Sequence, residues 1–416
     1  MFSPSDIEFI RSRGTTEESV ARQIDRFLQG AAHVTLDRPA TVGDGIVRLA
    51  GDEKARLAAL LDGAAEAGRC LAFVPASGAA SRMFRDWHAA FHRGGFASRQ
   101  ESDAFAKNLP RHAFYGDLCE ALSKAGRGVA QTGTAGGERE VLDFILNERG
   151  LNYACKPKAL LKFHRYGDAA RTALEEHLVE AALYVRDGSG LCRVHFTVSG
   201  EHRLPVSELL QRVVPRYEKE LGVRFEIGLS VQSEATDTIA VDLDNRPFRA
   251  RDGKLLFRPG GHGALLYNLN EIRGDIVFVK NIDNIVPDRL KGATVLYKKV
   301  LGGYLVDLQQ ELFSRLRVLS DPSAGGDAVT EAARFAAERL AVALPSGFEG
   351  RSIDERRRIL IDALDRPVRV CGMVKNEGEP GGGPFWVRGR DGGCSLQIVE
   401  EAQVDREKEG QGLLWA

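Results

Sequence analysis

With 416 residues, 43% hydrophobic and 28% charged, the chain is long enough for a sizeable core, and its formal net charge of -1 gives no global pull toward nucleic acid or an anionic membrane. No apolar run approaches the roughly 18 residues a bilayer span needs, and Met1-Phe2-Ser3-Pro4-Ser5-Asp6 lacks the basic and apolar regions of a secretory signal. Six scattered cysteines without a C-x-x-C pair argue against zinc and for reduced thiols in a cytoplasmic protein.

Residues 5 to 68 read as a helical preface. Thr16 caps a helix with Glu17 and Glu18 in its first turn, and Val20, Ile24, Phe27 and Leu28 fall on one face. A second helix, from about Asp52 to Ala67, stops at Gly68. Cys70 to Val74 is then a short apolar run of the kind buried in a parallel sheet. It enters the small-residue turn Ala76-Ser77-Gly78-Ala79-Ala80-Ser81, after which Arg82 is expected to open a helix. Such a turn lets backbone N–H groups approach an anion, and Arg82 adds a planar, permanently charged fork for phosphate oxygens. The same residues also suit a plain tight connection between strand and helix. No Gly-Lys-Ser/Thr follows, and there is no G-x-G-x-x-G.

The chain then reads as helical to about residue 147, with a Gly-rich surface loop at 126 to 137. Thr172 caps a further helix with Glu175 and Glu176 in its first turn. Strands at Arg193 to Val198, Arg224 to Val231 and Asp275 to Lys280, with a helix near Val206 to Leu221, predict a largely parallel α/β sheet with ligands at the C-terminal strand ends. Pro287 to Leu319 is helical, with Leu301, Leu305, Leu308, Leu312 and Leu316 as a core-facing stripe in preference to a dimer seam; oligomeric state stays open. A linker at 321 to 326, two helices and a small β element over 368 to 404 complete the chain. The divisions are 1–68, 69–320 and 321–416.

Three later stretches are dense in functional residue types. Arg258 to Leu265 is a Gly-rich loop carrying His262, Lys280 to Asp288 ends a strand in a polar cluster, and Lys375 to Trp386 is a charged, glycine-rich turn. An aspartate at a strand end is well placed to hold Mg²⁺ between phosphates. His164, His177, His195 and His202 lack metal-ligand spacing and read as structural or surface.

Together, Phe73 to Met83, Pro157 to Leu161, Gly260 to Gly263 and Asn281 to Asn284 resemble the nucleotide-sugar pyrophosphorylases, particularly the UDP-sugar branch. The whole chain also resembles an uncharacterised bacterial family known as a domain of unknown function. The resemblance implies a Rossmann-like sheet of the nucleotide-diphospho-sugar transferase type. Arg82 and Lys158 are implied as catalytic cations, and Ala76, Ser77, Gly78, Ala79, Ala80, Gly261, His262 and Gly263 as nucleotide-binding. Asp283 is implied as the Mg²⁺ ligand, with Asn284, Lys375 and Glu377 toward the sugar phosphate.

The implied activity is nucleotidyl transfer from a nucleoside triphosphate, UTP by resemblance, to a sugar 1-phosphate. There the nucleophile is a phosphate oxygen ionised at neutral pH, so no general base is needed. That suits a sequence without a G-x-S-x-G elbow or H-E-x-x-H. Ala264, where that branch commonly has an acid, and an unplaced second metal carboxylate keep open the alternative of a nucleotide- or sugar-phosphate-binding protein without turnover, and the same fold leaves a glycosyltransferase using a nucleotide sugar as another.

Overall fold

The computed structural model describes residues 2–30, 33–78, 80, 83–128, 135–378, 381–390 and 392–415. The strands of its three- and four-stranded sheets are β1 (Thr35–Pro39), β2 (Cys70–Pro75), β3 (Leu191–Val198), β4 (Arg224–Val231), β5 (Ile276–Val279), β6 (Gly382–Arg388) and β7 (Cys394–Glu400). The helices that matter for the argument are α1 (Pro4–Ser12), α2 (Glu17–Gln29), α3 (Gly51–Glu66), α4 (Arg85–Arg93), α5 (Ala173–Ala181), α6 (Arg203–Leu221), α7 (Asp288–Leu319), α8 (Gly326–Leu340) and α9 (Ile353–Leu364).

Strands β2 to β5 form a wholly parallel sheet in the order β5-β2-β3-β4. The fold is therefore α/β around a four-stranded parallel sheet, as the alternation of strand and helix patterns predicts. β2 and β5 are apolar throughout, as the short apolar run from Cys70 predicts, whereas β3 and β4 alternate with polar residues. Cys70, Ala72, Val74, Val194, Phe196 and Ile276 lie on one face. They share a single buried cluster with Leu61 of α3, Leu174 and Leu178 of α5, Val206 and Tyr217 of α6, and Val306 of α7. The opposite face carries Phe73, His195 and Thr197, followed by Ser230 across the ladder. A parallel strand packed by helices mainly on one side needs only every second residue apolar.

Helices α3 and α7 pack so closely that a Cβ on Gly303 would come within 1.7 Å of the Leu57 carbonyl oxygen. The leucine stripe of α7 faces inward: Leu308 and Leu312 are buried against Val329, Phe335 and Leu360 of α8 and α9. Between α4 and Leu146 a helical lobe gathers its own core around Phe105, Leu118, Leu142 and Phe144.

The preface is not helical throughout. Residues 35–46 are mostly extended, and β1 pairs antiparallel with β6, which pairs with β7. Thr35, Thr41, Val42 and Ile46 are β-branched, and Gly43 and Gly45 turn the chain at positive φ, so local preference here favours strand. Leu36 is buried with Phe385, Val399 and Val404, while the Gln411 side chain accepts from the Leu36 N–H at 2.7 Å and donates to its carbonyl at 3.1 Å. That amide stands in for a missing neighbouring strand. Helices α1 and α2 pack elsewhere, with Ile10, Val20 and Ile24 against Ile239 and Leu255. Among the described residues no helix is long and apolar enough to cross a membrane.

Candidate functional site

After β2 the chain moves to β3 and β4 on one side, then returns to place β5 on the other side of β2. The C-terminal ends of β2 and β5 thus lie where the strand order reverses, the kind of edge at which open α/β sheets bind ligands in a crevice. The Ile282 N–H donates to the Pro75 carbonyl at 3.2 Å and the Lys280 N–H to the Phe73 carbonyl at 3.1 Å, locking the two strand ends together.

The Lys-Pro-Lys segment closes over this crevice from a third element. Lys158 begins the short 3-10 helix Lys158–Leu160; its N–H donates to the Gly78 carbonyl at 3.1 Å, and its ammonium meets the Asp283 carboxylate at 2.5 Å. Three stretches far apart in sequence thus meet through named atoms. The pair is partly open, with 18% of the Lys158 side chain and 38% of that of Asp283 exposed.

The small-residue turn is only partly a cradle. The Ala76 N–H donates to the Thr197 carbonyl at 2.8 Å, so this N–H is taken by sheet pairing rather than offered to an anion. Ser77 is half-buried, Gly78 is exposed with open space where a Cβ would stand, and Ala80 is fully buried beside the helical lobe. The next described helix is α4, from Arg85, and before it the Met83 N–H closes a turn onto the Ala80 carbonyl at 2.9 Å. Ala79, Ser81 and Arg82 lie outside the described residues.

The glycine loop reaches the same edge of the sheet further out. Gly261 precedes the 3-10 turn His262–Leu265, and the Gln232 side-chain amide, just past β4, donates to the Gly260 carbonyl at 3.1 Å. Gly260 has a steric reason to be glycine, since a Cβ there would meet the Thr236 carbonyl at 2.7 Å; at Gly261 and Gly263 that space is open. β4 is the edge strand two places from β2, and this loop is tied to its end through Gln232. Between them, the Thr197 hydroxyl and the Asn268 side-chain oxygen are buried without a hydrogen-bond partner among the described residues. Asn268 spends its amide on the Ser230 hydroxyl at 2.8 Å and the Val231 carbonyl at 3.0 Å.

Asn284 is exposed on the turn that carries Asp283. Lys375 and Glu377 are exposed in the segment before β6, and no described contact brings either to the crevice.

What holds Asp283 in place is helix α5, every residue of which is buried. Glu180 accepts from the Lys280 ammonium at 2.6 and 2.7 Å, the His177 Nε2–H donates to the Ile282 carbonyl at 3.1 Å, and Glu176 pairs with Lys291. These contacts hold the chain on both sides of Asp283, at Lys280 and Ile282 before it and at Lys291 in the first turn of α7 after it. Burial, with the Lys280 ammonium adding to it, pushes the His177 pKa down to about 3, so the ring is neutral at physiological pH. Reading His177 and His164 as structural is consistent with this packing: His164 also contacts Glu176, at 3.0 Å. The positioning role of the Glu176, His177 and Glu180 set is absent from a sequence-only reading. Its signal was present as four ionisable residues, Glu175, Glu176, His177 and Glu180, interleaved with apolar ones over Ala173 to Ala181, where unpaired charges would be costly once buried.

Among the described residues no three His, Cys, Asp or Glu side chains converge on a possible metal position. The donor chemistry of the crevice is one carboxylate, Asp283, next to an ammonium. That fits Mg²⁺ carried by a polyphosphate, which takes most of its oxygen ligands from phosphate and water, and does not fit a metal caged by protein alone.

All six cysteines are unpaired, Cys70 and Cys192 being buried. Among proteins of curated function none matches this chain. The model of the family described as a domain of unknown function (DUF4301) matches residues 3–416, and the chain belongs to that family.

Proposed function

We propose that the chain is a Mg²⁺-dependent nucleotidyltransferase that moves a nucleotidyl group, from UTP by the resemblance given above, to a sugar 1-phosphate in the cytoplasm. The observation that carries this reading is the meeting of Gly78, Lys158 and Asp283 where the order of a parallel sheet reverses. A cation and a carboxylate held side by side at that edge are what a metal-bound polyphosphate requires: the ammonium goes to phosphate oxygen and the carboxylate to the metal. The buried, unpartnered Thr197 hydroxyl and Asn268 oxygen supply a donor and an acceptor for the polar groups of a bound ligand.

In the reaction, an ionised oxygen of the sugar phosphate attacks the α-phosphorus of the nucleotide. The new P–O bond forms as the bond to the β-phosphate breaks, and pyrophosphate leaves with the electron pair. Bound Mg²⁺ would supply charge neutralisation on the leaving phosphates, with Asp283 as its protein ligand. Lys158 releases Asp283 and turns to phosphate oxygen, Arg82 holds the departing phosphates, and the α5 clamp fixes the Asp283 loop so that positioning and electrostatics lower the barrier.

Calorimetric titration of UTP, ATP, GTP and CTP, with and without Mg²⁺ and sugar 1-phosphates, tests this. Magnesium-dependent binding selective for one base, weakened in Arg82→Ala and Lys158→Ala and accompanied by pyrophosphate release, is expected. No triphosphate binding under any of these conditions overturns the reading. A second reading, a binding protein without turnover, is favoured by the Lys158–Asp283 pair closing on itself, with no group of three metal-ligating side chains among the described residues. Tight nucleotide binding with no pyrophosphate release across a sugar-phosphate panel would select it.

A further inference from the structure

A second concavity, with a volume of about 300 Å³, borders the Lys-Pro-Lys segment at Lys156. Lys156, Lys162, Arg212 and Asp117 line it, with Tyr153 and Leu209 among its apolar walls, whereas Lys158, Gly78 and Asp283 take no part. Pro157 thus separates two lysines that serve different places.

The charges of this cavity do not balance. Lys162 is spent on Asp117 at 2.7 Å. Lys156 and Arg212 have neither a carboxylate partner nor a hydrogen-bond acceptor among the described residues. Arg212 stands at the open rim, while Lys156 is half-buried, its ammonium 5.7 Å from the centre of the Tyr153 ring. Burial lowers the Lys156 pKa, and the Asp117 carboxylate offsets this only in part, as expected of an ammonium that has lost hydration without gaining an ion pair of its own.

Three cations against one carboxylate leave a surplus of two positive charges inside a wall that is otherwise largely apolar. We infer that this cavity binds a phosphomonoester carrying a small apolar or aromatic group, its phosphate between Lys156 and Arg212 and its organic part against Tyr153 and Leu209. A phosphomonoester carries about -1.5 to -2 at neutral pH, which matches the surplus. Lys supplies a point charge and Arg a bidentate fork for its oxygens. The cavity is at the small end of ligand pockets, which limits the guest to a small molecule. This site is independent of the nucleotidyl-transfer reading.

Titration of the full chain with phenyl phosphate, using inorganic phosphate and benzyl alcohol as comparators, tests the assignment. Saturable one-to-one binding of phenyl phosphate is expected, tighter than either comparator, and weakened at least about tenfold in Lys156→Gln and in Arg212→Gln. Lys158→Ala and Asp283→Asn, which act only at the sheet crevice, bind it as wild type does. Without ligand, Lys156→Gln shifts the melt little, because the relief of a desolvated charge offsets the loss of its contact with the Tyr153 ring and of the attraction of Asp117. The inference is overturned by absence of phenyl phosphate binding, by binding insensitive to both Lys156→Gln and Arg212→Gln, or by equal loss in Lys158→Ala.

Discussion

At the residue scale, the Lys158–Asp283 pair tells function from stability. Partly exposed ion pairs contribute little to folding, so Asp283→Asn should shift the unfolding free energy by no more than about 1 kcal/mol. The same substitution should abolish pyrophosphate release; wild-type turnover in Asp283→Asn removes that residue from the mechanism. His177 makes a second, independent prediction. Its folded pKa, about 3, lies below the ordinary 6.5, so the unfolded chain takes up a proton that the folded chain refuses. Stability contributed by the neutral ring is complete above pH 6.5 and is lost as pH falls toward 3, with a slope of up to about 1.4 kcal/mol per pH unit. In paired denaturant titrations, His177→Gln should show a shallower decline over that window than wild type. Identical slopes would mean that His177 does not titrate as its burial dictates. The lysine, the aspartate and the glycine turn were legible as residue types; the grip of His177 on Ile282 was not, because burial depends on neighbours that a local window does not contain.

At the element scale, α5 and α7 carry the energetic consequences. Glu180 and Lys280 are both almost fully buried. Glu180→Ala leaves an ammonium without its partner in the core and should destabilise by about 3–5 kcal/mol, well beyond a surface ion pair. Hydrogen exchange should show the first losses in the loop over 280–291, since that loop hangs on this helix; protection unchanged there would refute the clamp. On α7, Gly303→Ala sets two effects against each other. Alanine is the better helix former by roughly 1 kcal/mol, yet its Cβ would collide with the Leu57 backbone, and overpacking of this kind costs typically 1–3 kcal/mol. The steric term wins because a helix backbone cannot swing aside as a side chain can, and net destabilisation in a denaturant melt is the expected sign. Both helices could be read from sequence, α5 from its capping pattern at Thr172 and α7 from its apolar period, because caps and periodicity are local. The approach of α3 to Gly303 is a contact between distant segments and leaves no local trace.

At the scale of the whole molecule, the chain closes on itself, since β1 near the start is completed by β6 and β7 near the end. Deleting residues 1–46 would strip β6 of a partner strand and α1 and α2 from Ile239 and Leu255. The truncated chain should expose an unpaired edge and self-associate, visible as a rise in light scattering; a monodisperse, fully stable product would contradict this account. What the sequence by itself determined is local. The strand Arg224–Val231 and the helix ending at Leu319 stand where composition and period place them, and alternating strands and helices imply the parallel sheet. Tertiary structure alone decided that β5 returns beside β2, that Lys158 meets Asp283, that residues 35–39 are a strand of the C-terminal sheet, and that Lys156 faces a different cavity from Lys158. The reason is physical: backbone preference and amphipathic period act over a few residues, whereas partner choice is set by which surfaces bury together most favourably, a property of the whole chain at once.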